Sequence, residues 1–196
     1  MRLVFLSSLL HFSVLLQTVY FMAELHILGT LVGASEFPKA TLCCQWELTA
    51  GEKWTPVEGD LSGQTHVDVP LDSNLCVWSH PIDIHLTTTS LLGWPKIRVQ
   101  VYYQDMFGRN ELYGYGFAHI PSSPGLHKID ISTWRPVGTP SDQIWSYFLG
   151  ATPQLKNLDL IDTPTDRFRL ITASMGKVHL EINVMLRNFH NHGIDL

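Results

Sequence analysis

Along KVHLEINVMLRNF, residues 177–189, Val178, Leu180, Ile182, Val184 and Leu186 alternate with His179, Glu181, Asn183, Met185 and Arg187. A period of two puts the two sets on opposite faces of an extended chain, so the segment predicts a long β-strand with one apolar and one wet face. Ile97, Val99 and Val101 repeat the pattern against Lys96, Arg98 and Gln100. Weaker alternation or short apolar runs predict further strands in ELHILGTLVG, TLCCQWELT, QTHVDVP, CVWSHPIDIHLTT, YGYGFAHIP, HKIDIS and RFRLITA. Turn-forming clusters such as GWP at 93–95 and PSSPG at 121–125 separate them. Many short strands punctuated in this way predict an all-β fold, an antiparallel β-sandwich.

One segment departs from the two-residue period. TPSDQIWSYFLG, residues 139–150, offers Ser141 or Asp142 as an N-cap, Ile144 and Phe148 at helical spacing and Gly150 as a stop, which predicts a short amphipathic helix in a connection between strands. Its apolar face is expected to cover one end of the sandwich. Trp145 and Tyr147 on this helix are candidates for contact with a partner, because Trp and Tyr combine a large apolar body with a polar tip.

Composition narrows the partners. The chain has 196 residues, 45% of them hydrophobic, enough for one core and hence one domain by default. A net charge of −5 without a Lys/Arg run removes the electrostatic footprint of a nucleic-acid binder. Cys43, Cys44 and Cys76 form neither a disulfide framework nor C-x-x-C spacing, so they read as small buried apolar residues in a reducing compartment. MRLVFLSSLLHFSVLLQTVYF, residues 1–21, has the outline of a secretory signal, but His11, Gln17 and Thr18 interrupt it and no clean pair of small residues marks a cleavage site. We read 1–21 as a signal-like or alternative-start extension outside the fold, and 22–196 as the domain.

Catalytic constellations are not visible along the chain. The ten histidines are dispersed, no H-E-x-x-H or G-x-S-x-G stretch occurs, and His80, Asp83 and His85 have no nucleophile beside them in sequence. His190 and His192 lack a third ligand and read as a solvated tail. GYGF, residues 114–117, falls inside a strand pattern, where glycine marks a bulge or a close backbone approach rather than a phosphate loop. An unpaired edge strand near ELHILG is a candidate acceptor for a partner's strand.

WSHPIDIHL, GWPKIRVQVY, DMFGRNELYGYGFAHIPSSPGLHK, TWRP and VHLEINVMLRNF together resemble the B9-domain family of ciliary proteins, over essentially all of residues 22–196. The resemblance implies a variant of the C2-type β-sandwich, no enzymatic activity, and membership of the tectonic-like complex at the ciliary transition zone. That complex supports ciliogenesis and restricts membrane-protein diffusion between plasma membrane and cilium. The implied location is the cytoplasmic side of the cilium base, with cytoskeleton, basal body, transition zone and axoneme as its surroundings. The implied partners are other B9-domain proteins and transition-zone subunits, with no cofactor and no small-molecule substrate.

Calcium-binding sandwiches of this type gather several carboxylates at one loop cluster, because calcium takes six to eight oxygen ligands. Laid over this chain, the expected positions are Tyr103, Asp105 and Glu111. The first is a phenol, and Arg109 adds a positive charge to the same loop. Asp68, Asp72 and Asp83 are too scattered to be assigned to the opposing side. Asp105 is therefore expected to shape a turn before Gly108, and the calcium loop is degenerate. Phe107 and Arg109 at the loop tip are candidates for contact with protein or lipid. A peripheral lipid-binding module is the alternative to a scaffold, although one aromatic and one cation give weak anchoring.

Overall fold

The computed structural model describes residues 22–71, 75–137, 154–163 and 170–192. The anticipated helix with Trp145 and Tyr147, the extension 1–21 and residues 167–169 of RFRLITA lie outside the described residues; the last two residues of that stretch, Thr172 and Ala173, are strand.

Nine strands account for most of what is described: β1 (Ala23–Ser35), β2 (Leu42–Thr49), β3 (Trp54–Glu58), β4 (Ser62–Gln64), β5 (Cys76–Thr88), β6 (Lys96–Gln104), β7 (Asn110–His119), β8 (Gly125–Pro136) and β9 (Thr172–Arg187). They pair in the order β3-β5-β1-β9-β8-β7-β6-β2-β4, and every pairing is antiparallel. A single paired position, Tyr115 with Trp134, joins β7 to β8. The sheet therefore curls there into two layers, β3-β5-β1-β9-β8 and β7-β6-β2-β4. This is the antiparallel sandwich that the alternation predicts. Among the described residues no helix is long and apolar enough to cross a membrane.

The core lies between the layers. Leu25, Ile27, Ile84, Leu180, Ile182 and Val184 from one layer meet Trp46, Val99 and Val101 from the other in one buried cluster. These are the inward positions of the two-residue period, and their burial supplies most of the driving force for folding, roughly 1.5–3 kcal/mol for each fully buried large side chain. A second cluster sits on the other side of the four-stranded layer. There Leu112, Tyr115 and Trp134 pack with Ile161 from the 3₁₀ turn Leu158–Ile161. Tyr115 Oη accepts a hydrogen bond from the Leu155 amide at 3.0 Å, and Arg98 and Lys96 bind Asp162 at 2.7 and 3.2 Å. Residues 154–163 are thereby fastened over the sheet.

Two expectations need correction. QTHVDVP is not a strand: β4 ends at Gln64, and beyond it only an isolated bridge joins Asp68 to Leu42. The apolar-polar alternation of Val67 and Val69 is too short to recruit a neighbour along its length. ELHILG is no edge, because β1 pairs with β5 on one side and β9 on the other. The edges are β3 and β4, neither of which the alternation predicts: WTPVE contains Pro56, and SGQ has no apolar period. A short strand and a proline suit an edge, where a missing amide donor is harmless.

The glycines of GYGF act as the strand reading expects. The β6–β7 register shifts between Val101 and Tyr102, so that Tyr113 is extra, and a Cβ on Gly114 or Gly116 would crowd Thr133 or Ile131 inside van der Waals contact, at 3.0 and 2.9 Å.

Candidate functional site

The tip of the β6–β7 hairpin is built by Asp105. Its strands end at the pair Gln104 and Asn110, and the Asp105 amide donates to the Arg109 carbonyl at 3.0 Å to close the loop. The carboxylate then turns inward on its own loop. Asp105 Oδ1 accepts from the amides of Phe107 and Arg109 at 2.9 and 2.8 Å, and Oδ2 accepts from Arg109 Nε at 2.7 Å. Gly108, at φ +77°, takes the left-handed conformation the turn requires. The Arg109 and Phe107 amides and the Arg109 guanidinium hold the Asp105 carboxyl below its ordinary pKa, because each stabilises the ionised form.

The remaining positions of the loop cluster do not converge on an ion. Tyr103 stacks on Tyr113 at 5.3 Å, and the Lys39 ammonium lies 4.0 Å from its ring centre. A cation thus already occupies the face of the phenol. Asp68 Oδ2 accepts from the Val77 amide at 2.8 Å, and Asp83 lies in β5 opposite Leu28, on the other layer. Glu111, half-buried, is paired across the hairpin with Tyr103.

The same end of the sandwich carries exposed apolar side chains. Met106 and Phe107 are 89% and 77% exposed at the hairpin tip. Leu42 pairs with both Tyr103 and Asp68, which sets the 68–71 stretch beside the tip, and Leu71 there is 95% exposed. Arg109 lies against Phe107, its guanidinium carbon 5.5 Å from the ring centre.

Strand pairing assembles two clusters that the sequence does not display. Ser35 Oγ is 2.8 Å from His179 Nε2, and His179 Nδ1 is 2.7 Å from Asp130 Oδ1, joining β1, β9 and β8. The order of contacts is that of a hydrolase triad, but Asp130 is 66% exposed on an open sheet face. A triad acid is buried, where its charge can hold the imidazole without screening by water, so this cluster serves as a polar clasp across three strands. Glu24, His26 and His85 form the other cluster, at the opposite end of β1. Their sequence separation hid it, since only the β1–β5 register places His85 beside His26.

The three cysteines are free and buried. Burial pushes each thiol's pKa up, that of Cys76 to about 12.

Residues 25–185 match the family model described as "Ciliary basal body-associated, B9 protein". The chain is 52% identical over 174 residues to B9 domain-containing protein 2 of Xenopus laevis, an alignment covering 89% of this chain and 99% of that protein. It is 31% identical over 168 residues to B9 domain-containing protein 1 of Homo sapiens, covering 84% and 82%. Among solved structures, a C2 domain of a plant extended synaptotagmin 1 aligns over 83% of this chain and 93% of that one, at 13% identity and a TM-score of 0.41.

Proposed function

The chain belongs to the B9-C2 family of ciliary basal body-associated proteins, and from that membership we propose that it is a non-catalytic scaffold subunit working through fixed protein contacts. Its setting at the ciliary base follows the family description. Within that setting, the complex it serves is the tectonic-like complex of the transition zone, and its task there is to support ciliogenesis and the barrier to membrane-protein diffusion. The domain is residues 22–196. Its partners are other B9-domain proteins, a reading supported by the existence of distinct family members such as B9 domain-containing protein 1.

One observation carries the contact mode. The Asp105 carboxylate is consumed by its own turn, and Lys39 stands over Tyr103. Calcium entering here would have to break three hydrogen bonds and displace or oppose two cations, while gaining too few oxygen ligands. The hairpin tip is therefore a rigid feature, suited to a contact that does not depend on an ionic trigger. Native co-purification of the full chain with a second B9-domain protein tests the scaffold reading; failure to associate would count against it.

A second reading has its own support. Met106, Phe107 and Leu71 are exposed at one end together with Arg109 and Lys39, an arrangement of apolar and cationic side chains that suits a lipid surface. Two cations give only modest attraction to anionic lipid, about 1 kcal/mol each. Co-sedimentation of the full chain with vesicles containing phosphatidylserine separates the readings: strong pelleting that is lost in Phe107→Asp would favour the lipid surface over the scaffold.

A further inference from the structure

We propose that Glu24, His26 and His85 form a binding site for a divalent transition metal of the zinc class, on the outer face of the five-stranded layer. This goes beyond the scaffold reading and does not depend on it. Glu24 and His26 are successive outward positions of β1, and His85 is the register partner of His26 on β5. One ligand atom from each lies within 4.8 Å of the other two. Four-coordinate zinc with bonds of about 2.0–2.1 Å needs its ligand atoms about 3.3 Å apart, so closing the site takes side-chain rotations on a fixed backbone and no strand movement.

Two further observations point the same way. His85 Nε2 is buried and has no hydrogen-bond partner, and it is directed at Glu24 Oε2, 3.8 Å away. A buried ring nitrogen without a partner is costly, and a metal bond would satisfy it. In addition, the His26 and His85 rings are stacked, with centroids 3.6 Å apart and planes within 17° of parallel. Stacking sets their edges side by side, so a slight opening of the stack brings one lone pair from each ring to a common ion.

The donor set selects the metal class. Two imidazole nitrogens and one carboxylate suit zinc, copper or nickel, whereas calcium and magnesium demand an all-oxygen shell. Arg187 Nη1 now lies 3.5 Å from Glu24 Oε2, but its side chain is 74% exposed and is free to swing into water when an ion takes the carboxylate. Three protein ligands leave a fourth position for water or for a donor from a partner.

The test is a zinc titration of the metal-free full chain by calorimetry, with cobalt as a spectroscopic probe. The site predicts uptake of one equivalent, a visible cobalt absorption of tetrahedral intensity, and a weakening of zinc binding by about 100-fold or more in His85→Gln and in His26→Gln, since losing a ligand costs more than the 10–100-fold typical of a supporting group. His127→Gln, on a half-buried histidine of β8 bonded to the Ser123 carbonyl, should leave uptake unchanged. If the histidine variants fail to fold, Glu24→Gln serves in their place, read as the loss of the zinc-dependent rise in Tm. No uptake by the unaltered chain, or uptake indifferent to these substitutions, would overturn the proposal.

Discussion

Arg98 Nη2 stands 2.7 Å from Asp162 Oδ1, a contact across 64 positions of sequence that ties the 154–163 segment to β6. Asp162 is only 5% exposed and Arg98 12%, so water screens the pair poorly. Arg98 also reaches Asp159 at 3.0 Å. Removing one partner of a buried pair costs about 3 kcal/mol when the other charge is left alone; Lys96 stays 3.2 Å from Asp162 Oδ2, so the loss here is smaller, about 2 kcal/mol. Arg98→Ala is expected to lower the unfolding free energy by that amount, read as a lower urea midpoint at unchanged slope, and Arg98→Lys to recover part of it.

The turn at Asp105 predicts a pH dependence with a definite sign. Its folded pKa lies below the ordinary aspartate value. The turn therefore has its full strength above about pH 4, the ordinary aspartate range, and loses it as pH falls through the lower folded value. The protection of the Phe107 and Arg109 amides, taken as the ratio of intrinsic to observed exchange at each pH, should fall on acidification, and Asp105→Ala should show the same loss of protection already at neutral pH.

Raised thiol pKa values predict silence toward thiol reagents. The thiolate is the reactive species, and burial disfavours it at Cys43, Cys44 and Cys76. At pH 8 the native chain should react with Ellman's reagent far more slowly than the unfolded chain, which should release three equivalents.

At Gly29, β1 leaves no room for a side chain beside β9. A Cβ there would strike the Glu181 carbonyl oxygen and lie 2.7 Å from Ile182 Cα. Both neighbours are backbone in the middle of the sheet and cannot yield cheaply. Gly29→Ala is expected to cost about 2 kcal/mol, seen as a Tm lower by about 6 °C at about 3 °C per kcal/mol.

The strands that alternate cleanly, β6 and β9, were legible because one face of each is buried and the other wet. β3 and β4 were not, since edge strands held by few neighbours carry no such period. The turn role of Asp105 could be read from its place before Gly108, a local relation within five residues. The clasp of Ser35, His179 and Asp130 and the group of Glu24, His26 and His85 could not, because strand register creates both. His85 meets His26 only after 59 positions of chain have folded back. The Arg98 and Asp162 pair was hidden for the same reason. Phe107 and Arg109 stand at the hairpin tip, and their part in binding is a matter for the partner.

On the scaffold reading the domain binds its partners without calcium. A calorimetric titration of the full chain against a second B9-domain protein, run in calcium-free buffer and again with millimolar calcium, tests this most directly. Association with the same affinity in both is the result expected. Association that appears only with calcium, or none in either buffer, would contradict it.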